Sequence, residues 1–330
     1  MLVVNRTPYS CERVILFDRN GAETLLVAIK ALYNFAQDTT RLANEQEPIT
    51  VADEYYGEPG FSSVRLASDL LPAKKSTDIL LTGNAIAPKA GVKALEIGVR
   101  VGDIMQKAVV FGERRGFGEL GNPRPFEQIP LVWENAFGGS DKTPEDESDH
   151  GHNSSNPVGR GFIAKKSKIP ANEVILPNIE HATERLGAPG DSPTPVGFSP
   201  LAPSWSPRLE FAGTYDEAWI NERAPLLPDD FDDQFLQTAS RPLVAPDYLQ
   251  GNELCALLGV VPEGKISFPL QTMRPFLRTR FAKSGIRSTP NLETVHIDAD
   301  ARTVSLLWKS AINIHGKVEE LREIEVRFDQ

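Results

Sequence analysis

The distribution of proline limits the folds available to this chain more than any other feature. Of the 26 prolines, 17 lie between residues 116 and 250. Proline lacks a backbone N–H and is disfavoured inside helices and central strands, so this stretch cannot form a regular helical or sheet domain. It is also rich in aromatic residues, which disordered segments lack. These are Trp133, Phe137, Phe162, Phe198, Trp205, Phe211, Tyr215, Trp219, Phe231 and Phe235. The sequence therefore predicts a proline-stiffened, irregular centre that is anchored by aromatic side chains and shaped for binding.

The flanking regions show the alternation of apolar and polar residues that is typical of β-strands. Segment Thr24–Phe35 also fits a helical stripe, but the preceding Asn20-Gly21 favours a hairpin turn, and Arg13–Phe17 then needs a partner strand. A second hairpin turn is predicted at residues 298–302. The predicted strands are Arg13–Phe17, Thr24–Phe35, Asp78–Ala87, Leu95–Val101, Lys107–Phe111, Thr294–Asp298, Thr303–Trp308 and Arg322–Phe328.

Helix signals are few and short. Thr214 and Glu217 match a capping box, which predicts a helix over Tyr215–Glu222, and a second short helix is predicted over Asp229–Ala239. The predicted fold class is mainly β, an α+β arrangement with few short helices, in which antiparallel β-sheets flank the long irregular centre. We predict a single domain over residues 1–330. Its sub-regions are 1–115 (β), 116–250 (irregular) and 251–330 (β).

Charge and composition disfavour several classes of partner. The chain has 35 basic and 45 acidic residues, and a net charge of −10 opposes binding to nucleic acid or to an anionic membrane. No apolar run reaches the roughly 20 residues of a membrane span, and the start lacks a secretory signal, so a cytoplasmic location is expected. Cys11 and Cys255 are expected to be ordinary buried thiols. Whether these two cysteines lie close together is left open.

Several short motifs look like ligand sites but lack the required context. Residues Gly116–Gly121 spell a dinucleotide fingerprint, yet the prolines that follow prevent the helix that must open there. Residues Gly259–Lys265 spell a phosphate loop, but Ile266 replaces the required Ser or Thr, so a turn between strands is predicted. His150 and His152 follow an acidic run and have no assured third ligand. A solvated loop is favoured there, metal binding is left open, and no cofactor or metal site is predicted.

Charged groups elsewhere have simple structural explanations. The four aspartates between residues 229 and 233 could form a carboxylate pair for acid–base chemistry, but helix capping and solvation are favoured. Residues 271–290 carry five basic side chains and no acidic one, which indicates a solvated strand face or a site for an acidic partner. His296 and His315, in or beside predicted strands, are expected to be packing or surface residues.

A series of distinctive blocks runs through the chain in a fixed order. They are Ser68-Asp69-Leu70, Lys74-Lys75-Ser76-Thr77-Asp78, Arg124-Pro125-Phe126-Glu127-Gln128-Ile129-Pro130-Leu131, Asn135-Ala136-Phe137-Gly138-Gly139, Asn156-Pro157-Val158-Gly159-Arg160-Gly161-Phe162, Leu176-Pro177-Asn178-Ile179-Glu180, Pro195-Val196-Gly197-Phe198, Trp205-Ser206-Pro207-Arg208, Gly213-Thr214-Tyr215-Asp216 with Trp219, and Pro225-Leu226-Leu227-Pro228-Asp229-Asp230-Phe231-Asp232. Over residues 2–310 their order and spacing resemble a bacterial family long labelled a domain of unknown function.

The genes of that family lie beside type VI secretion genes. Its members are regarded as adaptors or chaperones that hold a toxin effector and help to load it onto the spike, formed by the trimeric protein VgrG and its PAAR tip. The resemblance therefore implies a cytoplasmic, non-catalytic adaptor whose partners are an effector and a spike component. It offers no catalytic residues and no cofactor. The identity of the effector, the contact face and the oligomeric state stay open.

Candidate contact residues follow from the chemistry of interfaces. Trp, Tyr and Arg dominate binding hot spots, and a proline-fixed backbone loses little entropy when it binds. The candidates are Trp133, Phe137, Arg160, Trp205, Arg208, Tyr215 and Trp219. An alternative role for each is to anchor its own loop. The glycines of the Gly138-Gly139 and Gly159/Gly161 positions are expected to allow tight backbone turns.

Two other functions are considered. An enzyme acting on a carbohydrate or cell-wall substrate through unmarked Asp and Glu residues would need a deep pocket that holds at least two acidic groups with shifted pKa values. A structural component of the secretion apparatus would be incorporated stoichiometrically, and its deletion would abolish all secretion.

Overall fold

The computed structural model describes residues 2–314 and 316–328, so His315 lies outside the described residues. The N-terminal region consists of strands joined by short turns. They are β1 (Leu2–Asn5), β2 (Ser10–Phe17), β3 (Glu23–Ala36), β4 (Thr39–Leu42), β5 (Glu54–Tyr55), β6 (Val64–Leu66), β7 (Asp78–Thr82), β8 (Asn84–Ile86), β9 (Ala94–Val101) and β10 (Ile104–Phe111). The predicted β2–β3 hairpin is confirmed, with the Asp18 N–H bonded to the Ala22 carbonyl and Gly21 at a φ of 79°. Gly83, at a φ of 123°, divides the single strand predicted over Asp78–Ala87 into β7 and β8.

The central region is irregular, as predicted, and its regular elements are very short. Its strands are β11 (Gln128–Pro130), β12 (Phe137–Gly138), β13 (Ser140–Asp141), β14 (Gly151–His152), β15 (Arg160–Gly161) and β16 (Ile179–Glu180). Its helix α1 spans Glu217–Glu222, and 3₁₀ turns span Gly118–Gly121, Trp133–Asn135, Glu147–Asp149, Arg208–Phe211, Asp233–Leu236 and Arg241–Leu243.

Both predicted helices are shorter in the structure. Helix α1 is capped by Asp216, whose carboxylate accepts the Trp219 N–H at 2.9 Å. Thr214 does not form the predicted cap, because its N–H and hydroxyl both donate to Asp230. The helix predicted over Asp229–Ala239 is reduced to one 3₁₀ turn, Asp233–Leu236, which Asp232 caps at its N-terminus.

The C-terminal region returns to strands. They are β17 (Leu254–Leu258), β18 (Lys265–Pro269), β19 (Pro275–Phe281), β20 (Gly285–Ser288), β21 (Asn291–Asp298), β22 (Thr303–Asn313) and β23 (Leu321–Phe328), with a 3₁₀ turn at Val318–Glu320. The turn predicted at Gly259–Lys265 joins β17 to β18. The basic stretch 271–290 lies largely on β19 and β20, where Arg280 pairs with Glu323 at 2.7 Å. The predicted hairpin between β21 and β22 is confirmed.

The two terminal regions share their sheets. Among the described strands, the largest sheet has the order β2-β3-β22-β21-β7, with β4 also paired to β3. A second sheet runs β16-β10-β9-β17-β18, and a third runs β1-β23-β19-β20. Smaller pairs are β8–β11, β5–β6, β12–β15 and β13–β14. Most pairs are antiparallel, whereas β1–β23, β7–β21 and β12–β15 are parallel. The predicted mainly β fold class is therefore confirmed.

The largest sheet has two different faces. On β22, Val304, Leu306 and Trp308 point into the main hydrophobic core, as the period of two predicts for a strand. The intervening Ser305 and Lys309 point to the opposite face. That second face is polar, and the centre of the chain and the β4–β7 connection lie over it.

Candidate functional site

The polar face of the largest sheet carries the candidate site. The strand register places Lys30 of β3, Lys309 of β22, His296 of β21 and Asp78 of β7 on this face. Residues 43–77, here called the strap, cover one part of it. The uncovered part is the floor of an open cleft.

Beneath the strap, three lysine–carboxylate pairs of the described residues form a buried ion-pair network. Lys30 Nζ lies 3.2 Å from Asp69, Lys74 Nζ 2.5 Å from Asp78, and Lys309 Nζ 2.9 Å from Glu293. No side chain of the network is more than 11% exposed. Burial lowers the pKa of Lys309, and the carboxylate of Glu293 opposes this effect. Each lysine of the network thus faces a carboxylate, and Lys30 has a second, longer contact with Glu47 at 3.8 Å.

The network fastens the strap to the sheet. Lys309 Nζ donates to the Leu71 carbonyl at 2.8 Å, and Asp69 accepts the Thr50 N–H, also at 2.8 Å. Several large apolar side chains of the strap point away from the sheet, toward solvent. Phe61 is 77% exposed, and Val51 and Tyr56 are also exposed. Polar contacts therefore hold the strap in place, while part of its apolar surface faces solvent.

His296 lies at the boundary between the buried network and the cleft, and it lines both. Its Nε2 lies 3.0 Å from the Thr82 hydroxyl. Burial, together with the positive charge of Lys30, lowers the pKa of His296 to about 4. The imidazole is therefore neutral at pH 7.

The cleft has a volume of about 710 Å³. Its floor is the polar sheet face, and its walls come from the strap, the turn between β21 and β22, and the central region. It is lined by Leu32, Glu47, Tyr56, Arg65, Leu66, Thr82, Gly83, Asn84, Pro130, Val132, Glu134, Asn135, Arg160, His296, Asp298, Asp300, Thr303 and Ser305. This volume lies within the range typical of ligand sites.

Three carboxylates of the cleft are held by neutral donors. Glu134 accepts hydrogen bonds from the backbone N–H and hydroxyl of Ser63. Asp298 accepts the Ala301 N–H at 2.8 Å, and Asp300 accepts the Asn84 side-chain amide at 2.6 Å. None of the ion pairs between described residues involves these three carboxylates.

The two arginines of the cleft are already engaged. Arg65 pairs with Glu54, and Arg160 donates to the Glu134 carbonyl and to the side chains of Asn135 and Asn178. Burial raises the pKa of Tyr56, and the negative charge of Asp298 raises it further. The cleft is therefore acidic in character around the Tyr56 ring.

Among residues 2–314 and 316–328, no group of three His, Cys, Asp or Glu side chains is arranged to hold a metal ion. Glu134, Asp298 and Asp300 do not form such a set. His150 and His152 do not belong to one either; His150 Nε2 lies 3.2 Å from the Pro144 carbonyl, and His152 lies in β14.

The wall of the cleft is built from blocks that hold one another. The Asn156 side-chain amide donates to the Trp133 and Phe137 carbonyls at 2.8 and 2.9 Å. Gly138, at a φ of 147°, packs so closely that a Cβ there would lie 2.1 Å from the Asn156 carbonyl oxygen. Tight packing at this glycine agrees with the expectation of close turns. These contacts fix the positions of the backbone segments that they join.

A family model described as an uncharacterized protein conserved in bacteria, DUF2169, matches residues 20–309. The chain belongs to this bacterial family. The match includes the strap, the cleft and the interlocked blocks, so these features lie in the region common to DUF2169. No curated protein and no solved structure matches the chain. Among the described residues of this DUF2169 protein, no helix is both long and apolar enough to cross a membrane.

Four of the predicted contact residues lie inside the DUF2169 protein. Trp133 and Trp205 are each 2% exposed and meet edge to face, with ring centroids 6.0 Å apart. Phe137 is also 2% exposed and belongs to a small core with Leu176. Arg208 is buried and donates to the Leu201 and Phe235 carbonyls. These four residues anchor loops and present almost no surface in this conformation.

The other three predicted contact residues reach the surface at two separate places. Arg160 lines the cleft. Tyr215 is 52% exposed and its ring lies 4.7 Å from that of Trp219, whose indole N–H donates to the Leu226 carbonyl. Their role in binding a partner stays a prediction.

The remaining residues singled out from the sequence have structural roles. Cys255 is buried, Cys11 is half-buried, and both are free thiols. Burial raises the pKa of both thiols, and that of Cys11 rises to about 12. Hydrogen bonds from backbone N–H groups lower the pKa values of Asp230 and Asp232. Asp232 caps the 3₁₀ turn that follows it, as expected, whereas Asp230 accepts the Thr214 N–H from 16 residues earlier in the chain.

Sequence reasoning misses the acidic residues of the cleft. The sequence marks Asp298 and Asp300 only as part of a hairpin turn, and it gives no local signal for Glu134. One usable signal is the alternation along β22, whose polar set, including Ser305 and Lys309, marks a second face that is not core. The contribution of the strap has no local signal either, because Ser63 and Glu134 are 71 residues apart.

Proposed function

We propose that this DUF2169 protein is a non-catalytic cytoplasmic adaptor that binds a toxin effector and helps to load it onto the VgrG/PAAR spike of a type VI secretion system. The observation that carries the proposal is the position of the family-like blocks. The side chains of Asn156, Arg160 and Asn178 form hydrogen bonds that hold neighbouring loops together. These loops form one wall of the cleft. A preorganised surface of this kind loses little entropy when it binds another chain.

Exposed apolar side chains support the same role. Phe61 on the strap, Ile220 on α1 and Tyr215 beside it are all more than half exposed. Large apolar and aromatic side chains in such positions are typical of protein-binding surfaces. The strap and the α1 region are therefore the proposed contact surfaces for the effector or the spike.

Co-purification tests the adaptor role directly. The full chain is co-expressed with the toxin encoded by the neighbouring gene and analysed by size-exclusion chromatography, and a stable complex is expected. In the native host, deletion of the gene should stop secretion of that effector alone. Absence of a complex together with intact effector secretion would overturn the proposal, and loss of all secretion would favour a structural component of the apparatus.

The cleft also favours a second candidate, a hydrolase that acts on a carbohydrate or cell-wall substrate. Glu134, Asp298 and Asp300 line one cavity whose volume suits a ligand. Incubation with peptidoglycan and with soluble polysaccharides distinguishes the two candidates. The adaptor is expected to release no product. Turnover that Glu134→Gln or Asp298→Asn abolishes without unfolding the chain would establish the enzyme instead.

A further inference from the structure

Within the proposed adaptor role, on which this step rests, we infer that the cleft binds a basic segment of the partner polypeptide, with Lys or Arg side chains directed at Glu134, Asp298 and Asp300. The segment would lie over the floor formed by His296 and Ser305.

The charge balance of the sheet face is the first argument. Beneath the strap, Asp69, Asp78 and Glu293 each face a lysine. In the cleft, Asp298 and Asp300 have a backbone N–H and an amide as partners, and the charges of the two arginines face Glu54 and neutral oxygens. Four carboxylates, Glu47 among them, and two arginines line the cleft, and Lys30 Nζ lies 3.8 Å from Glu47. The lining therefore keeps an excess of negative charge, which complements a basic partner.

Acidic residues near the cleft add to its negative electrostatic potential. Between Leu42 and Val64, the strap and its entry contain five acidic residues and no basic one. Of these five, Glu47 lines the cleft and lies 3.8 Å from Lys30 Nζ, and Glu54 pairs with Arg65. None of the ion pairs between described residues involves the other three, Glu45, Asp53 and Glu58. An acidic rim attracts a basic segment over a distance of about one Debye length, roughly 8–10 Å at moderate salt.

Apolar surface beside the acids indicates that the bound segment is polypeptide and not a small cation. Leu66 and Val132 line the cleft together with Tyr56, which is also exposed to solvent. The face of an aromatic ring attracts the cationic groups of Lys and Arg and also packs against aliphatic side chains. Phe61, on the same strap loop as Tyr56, offers a further apolar contact outside the cleft. The favoured ligand alternates or mixes basic and apolar residues.

The arrangement is unlike a metal site. The three carboxylates do not converge as a metal-binding set among the described residues, and each already accepts hydrogen bonds from the chain. Charges spread along a cleft of about 710 Å³ match a ligand whose own charges are spread over several residues.

A phage-displayed library of random 12-residue peptides, selected on the purified full chain, tests the inference and does not require that the partner be identified first. Enriched peptides are expected to contain Lys or Arg together with apolar residues. The strongest of them is then synthesised with a fluorescent label, and its dissociation constant is measured by anisotropy. Binding is expected to weaken severalfold between 50 and 500 mM NaCl, since charge attraction is screened by salt.

The decisive variant replaces all three carboxylates, Glu134→Gln, Asp298→Asn and Asp300→Asn, which keeps hydrogen-bond acceptors in place. It is expected to weaken peptide binding about tenfold or more. The matched control removes the same number of negative charges from exposed positions outside the cleft, with Asp103→Asn, Glu127→Gln and Glu173→Gln. It is expected to bind within about twofold of the unmodified chain. Circular dichroism and thermal unfolding verify that both variants are folded.

Enriched peptides without basic residues, or equal binding by the cleft variant and the control, would overturn the inference. The same variants separate this inference from the adaptor role. An effector that binds the unmodified chain and the cleft variant equally well would leave the adaptor role standing and remove the cleft from it. Basic peptides that bind in the cleft, with no effector bound at all, would support the cleft chemistry and remove the adaptor role.

Discussion

The two halves of one sheet face treat charge in opposite ways. Under the strap, Lys309 and Glu293 are each 1% exposed and lie 2.9 Å apart. A few residues away on the same strands, Asp298 has only a neutral donor and faces an open cleft. A buried charge without a partner is very costly, whereas a carboxylate that water reaches keeps much of its solvation. On this face, each buried lysine of the network is paired with a carboxylate, whereas the carboxylates without a cation line the open cleft.

This contrast separates stability from binding on a single surface. The buried network holds the strap, whose Lys74 also donates to Thr294 on β21. The three cleft carboxylates have neutral donors as hydrogen-bond partners and line the open cleft. Substitutions on the two halves of the face therefore test whether the buried pairs stabilise the fold more than the cleft carboxylates do.

The largest effect is expected from Lys309→Met. The substitution leaves Glu293 buried without a cation, and removal of one partner of such a pair destabilises a protein by about 3–5 kcal/mol. The free energy of unfolding is measured by urea denaturation. The control is Lys107→Met, whose pair with Glu96 is about half exposed, and its effect is expected to stay within about 1 kcal/mol. Equal losses in the two variants would contradict the contrast.

The next effect is a pH dependence that arises from His296. Its pKa is lowered from 6.5 to about 4 by burial and by Lys30, so the unfolded chain binds a proton more readily between these two values. The contribution of His296 to the free energy of unfolding is therefore complete above pH 6.5 and is lost as the pH falls toward 4. The expected loss is about 1.4 kcal/mol per pH unit within this window.

The variant His296→Gln keeps a polar group near Thr82 and isolates this contribution. Urea denaturation of both proteins at several pH values between 4 and 7 is the measurement. The variant should lose less stability on acidification than the unmodified chain. Identical pH profiles would show that His296 is not held neutral at the boundary of the network.

A smaller effect is expected when both members of a buried pair are replaced. Combining Lys309→Met with Glu293→Leu removes the unmatched charge, and apolar replacements of buried pairs are often neutral or stabilising. The double variant should therefore unfold within about 1–2 kcal/mol of the unmodified chain, measured by the same denaturation. A loss as large as that of Lys309→Met alone would indicate that hydrogen bonds to the strap, including the one to the Leu71 carbonyl, matter more than charge.

The smallest change in stability is expected from the triple cleft variant, Glu134→Gln with Asp298→Asn and Asp300→Asn. The amide oxygens still accept hydrogen bonds, and the lost charges had no cation partner, so the free energy of unfolding should change by less than about 1 kcal/mol. Denaturation in urea measures it. A loss of more than about 2 kcal/mol would show that these carboxylates are structural, and the contrast would then fail.

Sequence reasoning locates the strands well where local chemistry decides them. The Asn20-Gly21 turn and the alternation of β22 are sufficient for two hairpins. It overestimates the length of the helices: Thr214 does not cap α1 as predicted, because it donates to Asp230, 16 residues away. It also places four buried loop anchors, Trp205 among them, among the contact candidates, since residue type does not reveal exposure.

The sequence alone determined the mainly β class, the irregular proline-rich centre and the family, because turns, alternation and block order are local properties. Only the tertiary structure decided which charges are paired. Lys30 meets Asp69 from 39 residues away, and Glu134 is left with Ser63 instead of a cation. The physical reason is that charge matching depends on distance and burial in three dimensions, and the chain order of Lys, Asp and Glu does not encode either quantity.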